Sequence, residues 1–119
     1  MRIGIVGAGF WTKYQIAGWC EIPGVEIVAI ANKTIANAEA LAGAFGIPRV
    51  YANPEQMIDG ERLDCLDIVT AVQGHAPAVM LAAQNLVPVI CQKPMATSLS
   101  EAREMVRVCA EQHCDQRRL

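Results

Sequence analysis

The sequence predicts an α/β protein built on a doubly wound parallel sheet that is incomplete at its C-terminal edge. Three observations support this fold class. Short apolar runs alternate with longer helix-like segments along the 119 residues. The runs are continuously apolar, which is typical of strands buried on both faces of a parallel sheet. Their order, βαβαβ(α)βαβα, places helices on both faces when the crossovers are right-handed.

Five apolar runs are the predicted strands. The first ends at Gly7, and the second is entered through the turn Pro23-Gly24. The third is the shortest and the weakest of the set. In chain order, the predicted strands are 2–6, 25–31, 49–51, 65–72 and 87–92.

The helices between the strands have recognisable ends. One starts near Thr34 and stops at Gly46, a residue that readily takes a left-handed conformation. Another has Pro77 in its first turn and ends at Asn85, which tolerates the same conformation.

The last predicted helix opens with Ser98 and Glu101, spaced as a capping box. Apolar residues then recur at helical spacing, which predicts a buried face. That predicted face consists of Leu99, Ala102, Val106 and Cys109.

Composition limits the classes of function. The chain is 53% hydrophobic and 18% charged, with a net charge of −2, which fits one ordinary globular domain. This charge predicts no nucleic-acid partner and no attraction to an anionic membrane. No apolar run has the 18 residues of a membrane span, and the N-terminus does not read as a secretory signal. We expect a cytoplasmic protein.

The cysteines predict free thiols and no metal site. None of the five belongs to a C-x-x-C pair, and neither His75 nor His113 has a second ligand at suitable spacing. The cysteines are Cys20, Cys65, Cys91, Cys109 and Cys114.

A glycine loop follows the first strand and opens a helix, as in a Rossmann-type dinucleotide-binding domain. In G-x-G-x-x-G the first glycine makes a tight turn, the second admits a pyrophosphate, and the third lets the helix pack on the strand. Gly7 and Gly9 match the first two positions, and Thr12 replaces the third. The residues Gly7, Ala8, Gly9, Phe10 and Trp11 are the predicted pyrophosphate-binding loop. A glycine turn without a ligand is the alternative.

The second strand ends at Asn32-Lys33-Thr34. An NAD-preferring domain places an acidic residue here, against the ribose hydroxyls. The neutral Asn32, followed by Lys33 and Thr34, favours the 2′-phosphate of NADP over NAD, with Lys33 as a point charge. Lys33 as a solvated charge at a helix start is the alternative.

Two further segments end at the same edge of the sheet, where α/β proteins bind ligands. The fourth strand leads through Thr70 to His75, at the start of a helix. The fifth leads into Gln92-Lys93-Pro94. The sequence therefore predicts that all five residues face the cofactor. His75 filling a helix turn and Lys93 as an exposed charge are the alternatives.

With these motifs, the sequence resembles the N-terminal nucleotide-binding domain of the Gfo/Idh/MocA oxidoreductases, the glucose-fructose oxidoreductase and inositol dehydrogenase group. The resemblance covers nearly the whole chain and rests on "IGIVGAG", "FGIP", "DIVT…H" and "VICQKPMA". It implies a hydride transfer between a nicotinamide and a sugar or polyol. It also implies that Lys93 is a catalytic residue that reaches the substrate.

The chain departs from the family pattern at two places. The family typically has Glu where this chain has Gln92, and often has Pro-Asn where it has Ala71-Val72. Loss of the carboxylate beside Lys93 is expected to alter the tuning of catalysis while cofactor binding survives.

The resemblance implies a second, substrate-binding domain, which we expect this sequence to lack. We expect residues 1–114 to form the NAD(P)-binding domain and residues 115–119 a polar tail, at an end imposed on a longer product. The chain alone is then expected to bind cofactor without turnover. A non-catalytic cofactor-sensing module and an α/β interaction domain without a ligand are the alternatives, and a homo-oligomer is left open.

Overall fold

The computed structural model describes residues 1–112, which form a five-stranded parallel sheet with helices on both faces. The strands are β1 (Arg2–Val6), β2 (Glu26–Ala31), β3 (Arg49–Tyr51), β4 (Cys65–Ile68) and β5 (Val89–Cys91). The helices are α1 (Thr12–Cys20), α2 (Ile35–Phe45), α3 (Pro54–Gly60), α4 (His75–Gln84) and α5 (Leu99–Glu111), and a 3₁₀ turn covers Val72–Gly74.

The strand order is β3-β2-β1-β4-β5, and every pairing is parallel. This order confirms the predicted doubly wound sheet. After β3 the chain crosses over β2 and β1 to pair β4 on the far side of β1, so the order reverses between β1 and β4. Open α/β sheets bind their ligands at such a reversal.

Each face of the sheet carries its own apolar layer. Ile16 of α1 and Ala38 of α2 pack on one face, around the side chains of Ile3, Ile5 and Ile30. Met57 of α3, Ala82 of α4 and Met105 of α5 pack on the other face, around Val6, Val28, Leu66 and Ile68. Burial on both faces explains why the strands read as continuous apolar runs.

The predicted element ends differ from the structure at several places. The second strand starts at Glu26 rather than at residue 25, and the fifth covers Val89–Cys91 rather than 87–92. The fourth strand stops at Ile68, because the chain turns away to form the cleft wall once the Val69 amide has bonded the Val6 carbonyl at 2.8 Å. At the end of α4, Asn85 is not left-handed (φ −103°), and Leu86 takes that conformation instead (φ 58°). The Asn85 side chain bonds the Leu81 carbonyl at 2.9 Å, which keeps Asn85 with the helix.

The start of α5 confirms the predicted cap. Ser98 Oγ accepts a hydrogen bond from the Glu101 amide at 3.1 Å, and Glu101 accepts one from the Thr97 amide at 3.0 Å. The predicted buried face is only partly right. Cys109 is buried and Ala102 half-buried, but Leu99 is 67% exposed and Val106 42% exposed. Met105, which was not predicted for this face, is buried.

Three sequence predictions concern the C-terminal boundary, a membrane span and a metal site. The boundary at residue 114 and the tail 115–119 lie outside the described residues. Within residues 1–112, no helix is long and apolar enough to cross a membrane. The same residues contain no cluster of three or more His, Cys, Asp or Glu side chains that could hold a metal ion.

Glu61 joins three elements at the amino end of the sheet. Its side chain is 2% exposed and pairs with the Arg49 guanidinium. Glu61 also accepts hydrogen bonds from the Tyr51 hydroxyl at 2.6 Å and from Arg2 at 3.3 Å. The hydrogen bond from Arg49 is the main cause that lowers the pKa of Glu61 below its ordinary value of 4.5.

We expect Glu61→Gln to lower the free energy of unfolding at pH 7 by about 2 kcal/mol, because charge-assisted hydrogen bonds are lost. A lowered pKa in the folded state stabilises the fold above the unfolded pKa, and this contribution is lost as the pH falls through the folded value. Thermal melts at pH 7 and pH 3 should therefore show a difference that shrinks in acid. Glu39→Gln, at an exposed position of α2, is the control. Equal melting temperatures for Glu61→Gln and the parent chain at pH 7 would contradict this account.

Candidate functional site

An open cleft of about 290 Å³ lies where the carboxyl ends of β1, β2 and β4 meet, at the reversal of strand order. Loop residues after all three strands and one residue of α2 line it. The lining residues are Gly7, Ala8, Gly9, Asn32, Thr34, Asn37, Val69, Thr70 and Ala71. Six of these were predicted from the sequence as cofactor-binding positions.

Gly7 makes the tight turn at the end of β1. Its φ is +112°, and its amide donates to the Ala31 carbonyl at 2.9 Å. A Cβ at Gly7 would lie 2.6 Å from the Val69 carbonyl oxygen and 3.0 Å from the Thr70 nitrogen. Only glycine fits this backbone and this approach to the end of β4.

Gly9, unlike the crowded Gly7, lies beside open space. A Cβ at Gly9 would meet nothing within 4 Å, because the residue borders the open cleft. The nearby α1 begins at Thr12, has no side chain that caps it at Trp11, and carries no acidic residue in its first turn. The Thr12 amide donates to the Gly9 carbonyl at 3.2 Å and the Tyr14 amide to the Trp11 carbonyl at 3.0 Å. The positive end of the helix dipole favours an anion at this place. The loop therefore fits the diphosphate of a dinucleotide.

Thr12 stands where the third glycine of the motif would be. It is fully buried at the first position of α1, and its Oγ1 has no hydrogen-bond partner among the described residues. Thr12 thus takes the packing position of that glycine, at the cost of a buried hydroxyl.

Phe10 and Trp11 lie at the rim of the glycine loop and point largely into solvent, with 75% and 56% of their surfaces exposed. Both rings contact Tyr14, at centroid distances of 5.7 and 5.3 Å, and the Lys13 ammonium lies 5.2 Å from the Phe10 ring. Neither Phe10 nor Trp11 lines the cleft, and their contact with a cofactor stays a prediction.

The loop after β2 supplies polar groups at one end of the cleft. Asn32 Nδ2 donates to the Thr34 carbonyl at 2.8 Å, and the Thr34 hydroxyl makes no cap bond to α2. Lys33 is exposed and is not a lining residue. Asn37 lines the cleft but was not predicted from the sequence; the available signal was a polar residue one turn after the Thr34 cap.

His75 holds two loops together. The residue is buried, and its two ring nitrogens lie 3.1 Å from the Thr70 carbonyl and 3.2 Å from the Met95 carbonyl. Thr70 lines the cleft, whereas His75 is not one of its lining residues. A neutral imidazole carries one N–H and therefore donates to one of these two carbonyls, and His75 packs between the loop after β4 and the segment after β5.

The segment after β5 extends the sheet by one bond before it turns outward. The Gln92 amide donates to the Ile68 carbonyl at 3.2 Å. Lys93 and Pro94 are exposed, and the peptide bond between them is cis. None of the three lines the cleft, so their roles toward cofactor and substrate stay predictions.

Asp67, in the middle of β4, was not singled out from the sequence. It is fully buried, and its Oδ2 accepts hydrogen bonds from Trp19 Nε1 at 2.6 Å and from Gln15 Nε2 at 3.0 Å. Burial raises the pKa of this carboxyl above its ordinary range. The available signal was one acidic residue inside an apolar strand.

Comparison with known proteins gives the same fold and a family. The Gfo/Idh/MocA family, described as "Oxidoreductase family, NAD-binding Rossmann fold", matches residues 1–116. A D-apiose dehydrogenase from Paraburkholderia graminis is 41% identical over 105 residues, which are 88% of this chain and 28% of that protein. The mouse trans-1,2-dihydrobenzene-1,2-diol dehydrogenase is 33% identical over 108 residues, 89% of this chain and 32% of the relative.

Solved structures agree with the sequence relatives. An oxidoreductase from Agrobacterium radiobacter in complex with NAD+, L-tartaric acid and magnesium superposes with a TM-score of 0.92 and 35% identity, over 95% of this chain and 33% of the other. The WlbA dehydrogenase from Bordetella pertussis, in complex with NADH and UDP-GlcNAcA, gives a TM-score of 0.90 and 27% identity, over 95% and 34%.

This chain spans about 30% of the length of the curated relatives it matches. The matched part includes the glycine loop, the loop after β2 and the segment after β5. Because the family pattern matches residues 1–116, the chain belongs to the Gfo/Idh/MocA oxidoreductases and contains their NAD-binding Rossmann domain.

Proposed function

We propose that this chain binds a nicotinamide dinucleotide and is the cofactor-binding part of a dehydrogenase that acts on a sugar or polyol. One observation carries the proposal: Gly9 lines the cleft three residues before α1 begins, in open space, and no side chain caps that helix. A diphosphate at Gly9 would receive backbone N–H groups and the helix dipole without displacing a side chain. The sugar or polyol class is supported by relatives such as the D-apiose dehydrogenase.

Within this proposal each predicted residue has a role. The loop Gly7–Trp11 holds the diphosphate, and Asn32 and Thr34 bind the adenosine ribose. Thr70 borders the nicotinamide half of the cofactor, and His75 fixes the loop that carries Thr70. Lys93, next to Gln92 and Pro94, would approach the substrate oxygen whose carbon exchanges a hydride with the nicotinamide. A substrate pocket would have to come from a further domain, so this chain alone is expected to bind without turnover.

Cofactor binding is tested by titrating the chain with NADH and NADPH while its tryptophan fluorescence is recorded. Trp11 lies at the rim of the loop, so binding should quench its emission. Trp11→Phe should remove most of that change and leave the signal of Trp19. Isothermal calorimetry that detects no binding of either cofactor would overturn the proposal and favour an interaction domain without a ligand.

The finer proposal is a preference for NADP. Asn32 brings no negative charge to the ribose end of the cleft, and the exposed Lys33 follows it directly. We expect NADPH to bind about fivefold more tightly than NADH, and Lys33→Ala to bring the two dissociation constants together, since the lysine acts as a point charge on the 2′-phosphate. Arg62→Ala, which removes one exposed positive charge before β4, is the control. Tighter binding of NADH by the parent chain would contradict the preference.

A non-catalytic cofactor sensor is the second candidate. It is favoured by Gln92, which stands where the family resemblance has Glu. Turnover distinguishes the two candidates. The chain joined to a family substrate domain would be assayed with a panel of sugars and polyols, and binding without oxidation of any of them would favour the sensor.

Self-association is the remaining proposal about partners. In the described part of the chain β5 is an edge strand, with one side of its backbone unpaired by the sheet. Such an edge can pair with a second copy. Light scattering over a tenfold range of concentration would show a rising mass if copies associate.

A further inference from the structure

A buried carboxylate lies at the centre of the sheet, next to the segment that carries Lys93. Asp67 is opposite Ile5 on β1 and Ile90 on β5 in the strand register, and its side chain is fully buried. A carboxylate in such a place is costly unless donors surround it. Asp67 therefore has to be explained by its contacts.

Two donors come from α1. Trp19 Nε1 and Gln15 Nε2 both bond Oδ2, at 2.6 and 3.0 Å. The other oxygen, Oδ1, has no partner at ordinary hydrogen-bond distance among the described residues. The Oδ2 atom of Asp67 is thus hydrogen-bonded to α1, and the Oδ1 atom can accept a further hydrogen bond.

Gln92 is placed to act on the same carboxylate. It lies two residues after Ile90, the register partner of Asp67, so the side chains of Gln92 and Asp67 point to the same face of the sheet. The bond from the Gln92 amide to the Ile68 carbonyl continues the register to this residue. Burial raises the pKa of the Asp67 carboxyl most, and the nearby Gln92 side chain acts in the opposite direction, after Trp19 and Gln15.

The chemistry of this contact distinguishes glutamine from glutamate. The glutamine side chain has an NH₂ group that donates to a carboxylate. An ionised glutamate only accepts, and two ionised carboxylates on the same face of neighbouring strands repel each other. An ionised glutamate in place of Gln92 would therefore face Asp67 with no hydrogen-bond donor between the two carboxylates.

We propose that Asp67 is a positioning residue that holds Gln92, and through Gln92 the Lys93-Pro94 turn, against α1 at the edge of the cleft. Its presence requires an amide at position 92, and this accounts for the glutamine that replaces the glutamate of the family pattern. The link to Lys93 as a substrate-facing group rests on the proposed function. The pairing of Asp67 with Gln92 does not.

Few titratable groups act on this pair. The Cys91 thiol on β5 interacts electrostatically with Asp67, and burial raises the pKa of that thiol to about 11, so the thiol stays neutral at pH 8 and below. The groups of α1 that face Asp67, Gln15 and Trp19, do not titrate. A change in the behaviour of the Gln92→Glu variant between pH 8 and pH 5 would therefore report the two carboxyl groups.

The test is a set of three variants: Gln92→Glu, Asp67→Asn and the double variant. We expect Gln92→Glu to lower the melting temperature by about 6 °C at pH 8. The loss should shrink at pH 5, since a carboxyl whose pKa is raised in the folded state destabilises the fold only when it must ionise. Asp67→Asn with Gln92→Glu should restore the parent value, because the asparagine amide donates to the new carboxylate. Gln84→Glu, at the exposed end of α4, is the control for the added charge.

A second measurement reports the position of Lys93 rather than overall stability. The sequence contains three lysines, Lys13, Lys33 and Lys93. Acetylation under native conditions at 20 °C, followed by peptide mass spectrometry, gives the labelling rate of each. We expect at least a threefold change at Lys93 in Gln92→Glu, unchanged rates at Lys13 and Lys33, and recovery at Lys93 in the double variant.

Two results would overturn the proposal: a Gln92→Glu chain with parent stability and labelling at pH 8, or a double variant no better than Gln92→Glu. Both measurements are made without cofactor. A chain that fails to bind NADH or NADPH would refute the proposed function and leave the pairing of Asp67 with Gln92 standing. The reverse outcome is equally visible, since the cofactor titration of the parent chain does not depend on these variants.

Discussion

Gly7→Ala is expected to destabilise the fold more than any other exchange of one small residue for another in the glycine loop. We expect the free energy of unfolding to fall by about 4 kcal/mol, because two costs combine. Alanine is strained at the φ of +112° that Gly7 adopts. Its Cβ would also lie 2.6 Å from the Val69 carbonyl oxygen and 2.8 Å from the Val69 carbonyl carbon.

The clash at Gly7 involves backbone rather than a flexible side chain. The Val69 amide is bonded to the Val6 carbonyl at 2.8 Å, so moving Val69 away would break the pairing of β1 with β4. Small domains are stable by about 5–15 kcal/mol in total, and a loss of this size leaves a marginal fold.

Urea unfolding followed by circular dichroism measures the effect of Gly7→Ala. Gly18→Ala is the matched control, since Gly18 is an exposed position of α1 where a Cβ would meet nothing within 4 Å. That control should gain up to about 1 kcal/mol from better helix propensity. A Gly7→Ala chain within about 1 kcal/mol of the parent would show that the turn after β1 is not as tight as described.

Gly9→Asp is expected to leave the fold intact and to weaken dinucleotide binding about 100-fold. A Cβ at Gly9 meets nothing within 4 Å, and the residue has no positive φ, so the side chain fits the free protein. It would, however, occupy the part of the cleft in front of α1 with a negative charge. A diphosphate would then lose both space and the favourable potential of the helix N-terminus.

The contribution of charge at Gly9 is separated by Gly9→Asn, which has nearly the same shape. We expect the asparagine variant to bind about tenfold more weakly than the parent, and the aspartate variant to lose a further factor of about ten. Calorimetric titration with NADH and NADPH measures both, and thermal melts check that each variant is folded. Unchanged affinity in Gly9→Asp would move the diphosphate away from this loop and would contradict the proposed binding mode.

Much of the framework was predictable because its signals are local in the chain. Continuous apolar runs marked all five strands, and the left-handed Gly46 and the cap at Ser98 marked helix ends. Errors occurred where local preference was ambiguous. Asn85 tolerates a left-handed backbone, yet it caps α4 with φ −103° while its side chain bonds the Leu81 carbonyl, and Leu86 takes the left-handed conformation. Leu99 matched the helical period but lies on the exposed side of α5.

The residues of the candidate site also fall into two groups, those that the sequence predicted and those that only the structure showed. A motif of adjacent residues predicted Gly7, Ala8 and Gly9 as part of a cofactor loop, and all three line the cleft. Asn37 lines it as well, but its place depends on how α2 leaves β2. No spacing in the sequence shows that His75 bridges the carbonyls of Thr70 and Met95.

The sequence by itself determined the parallel α/β fold, the glycine loop and the family resemblance. Each of these depends on motifs of adjacent residues or on the short-range pattern of apolar residues. The tertiary structure alone decided which polar side chains meet. Asp67 and Gln92 are 25 positions apart, and only the register of β4 against β5 puts them on one face beside α1. Register is set by packing of the whole sheet, and a one-residue slip would turn Asp67 to the opposite face.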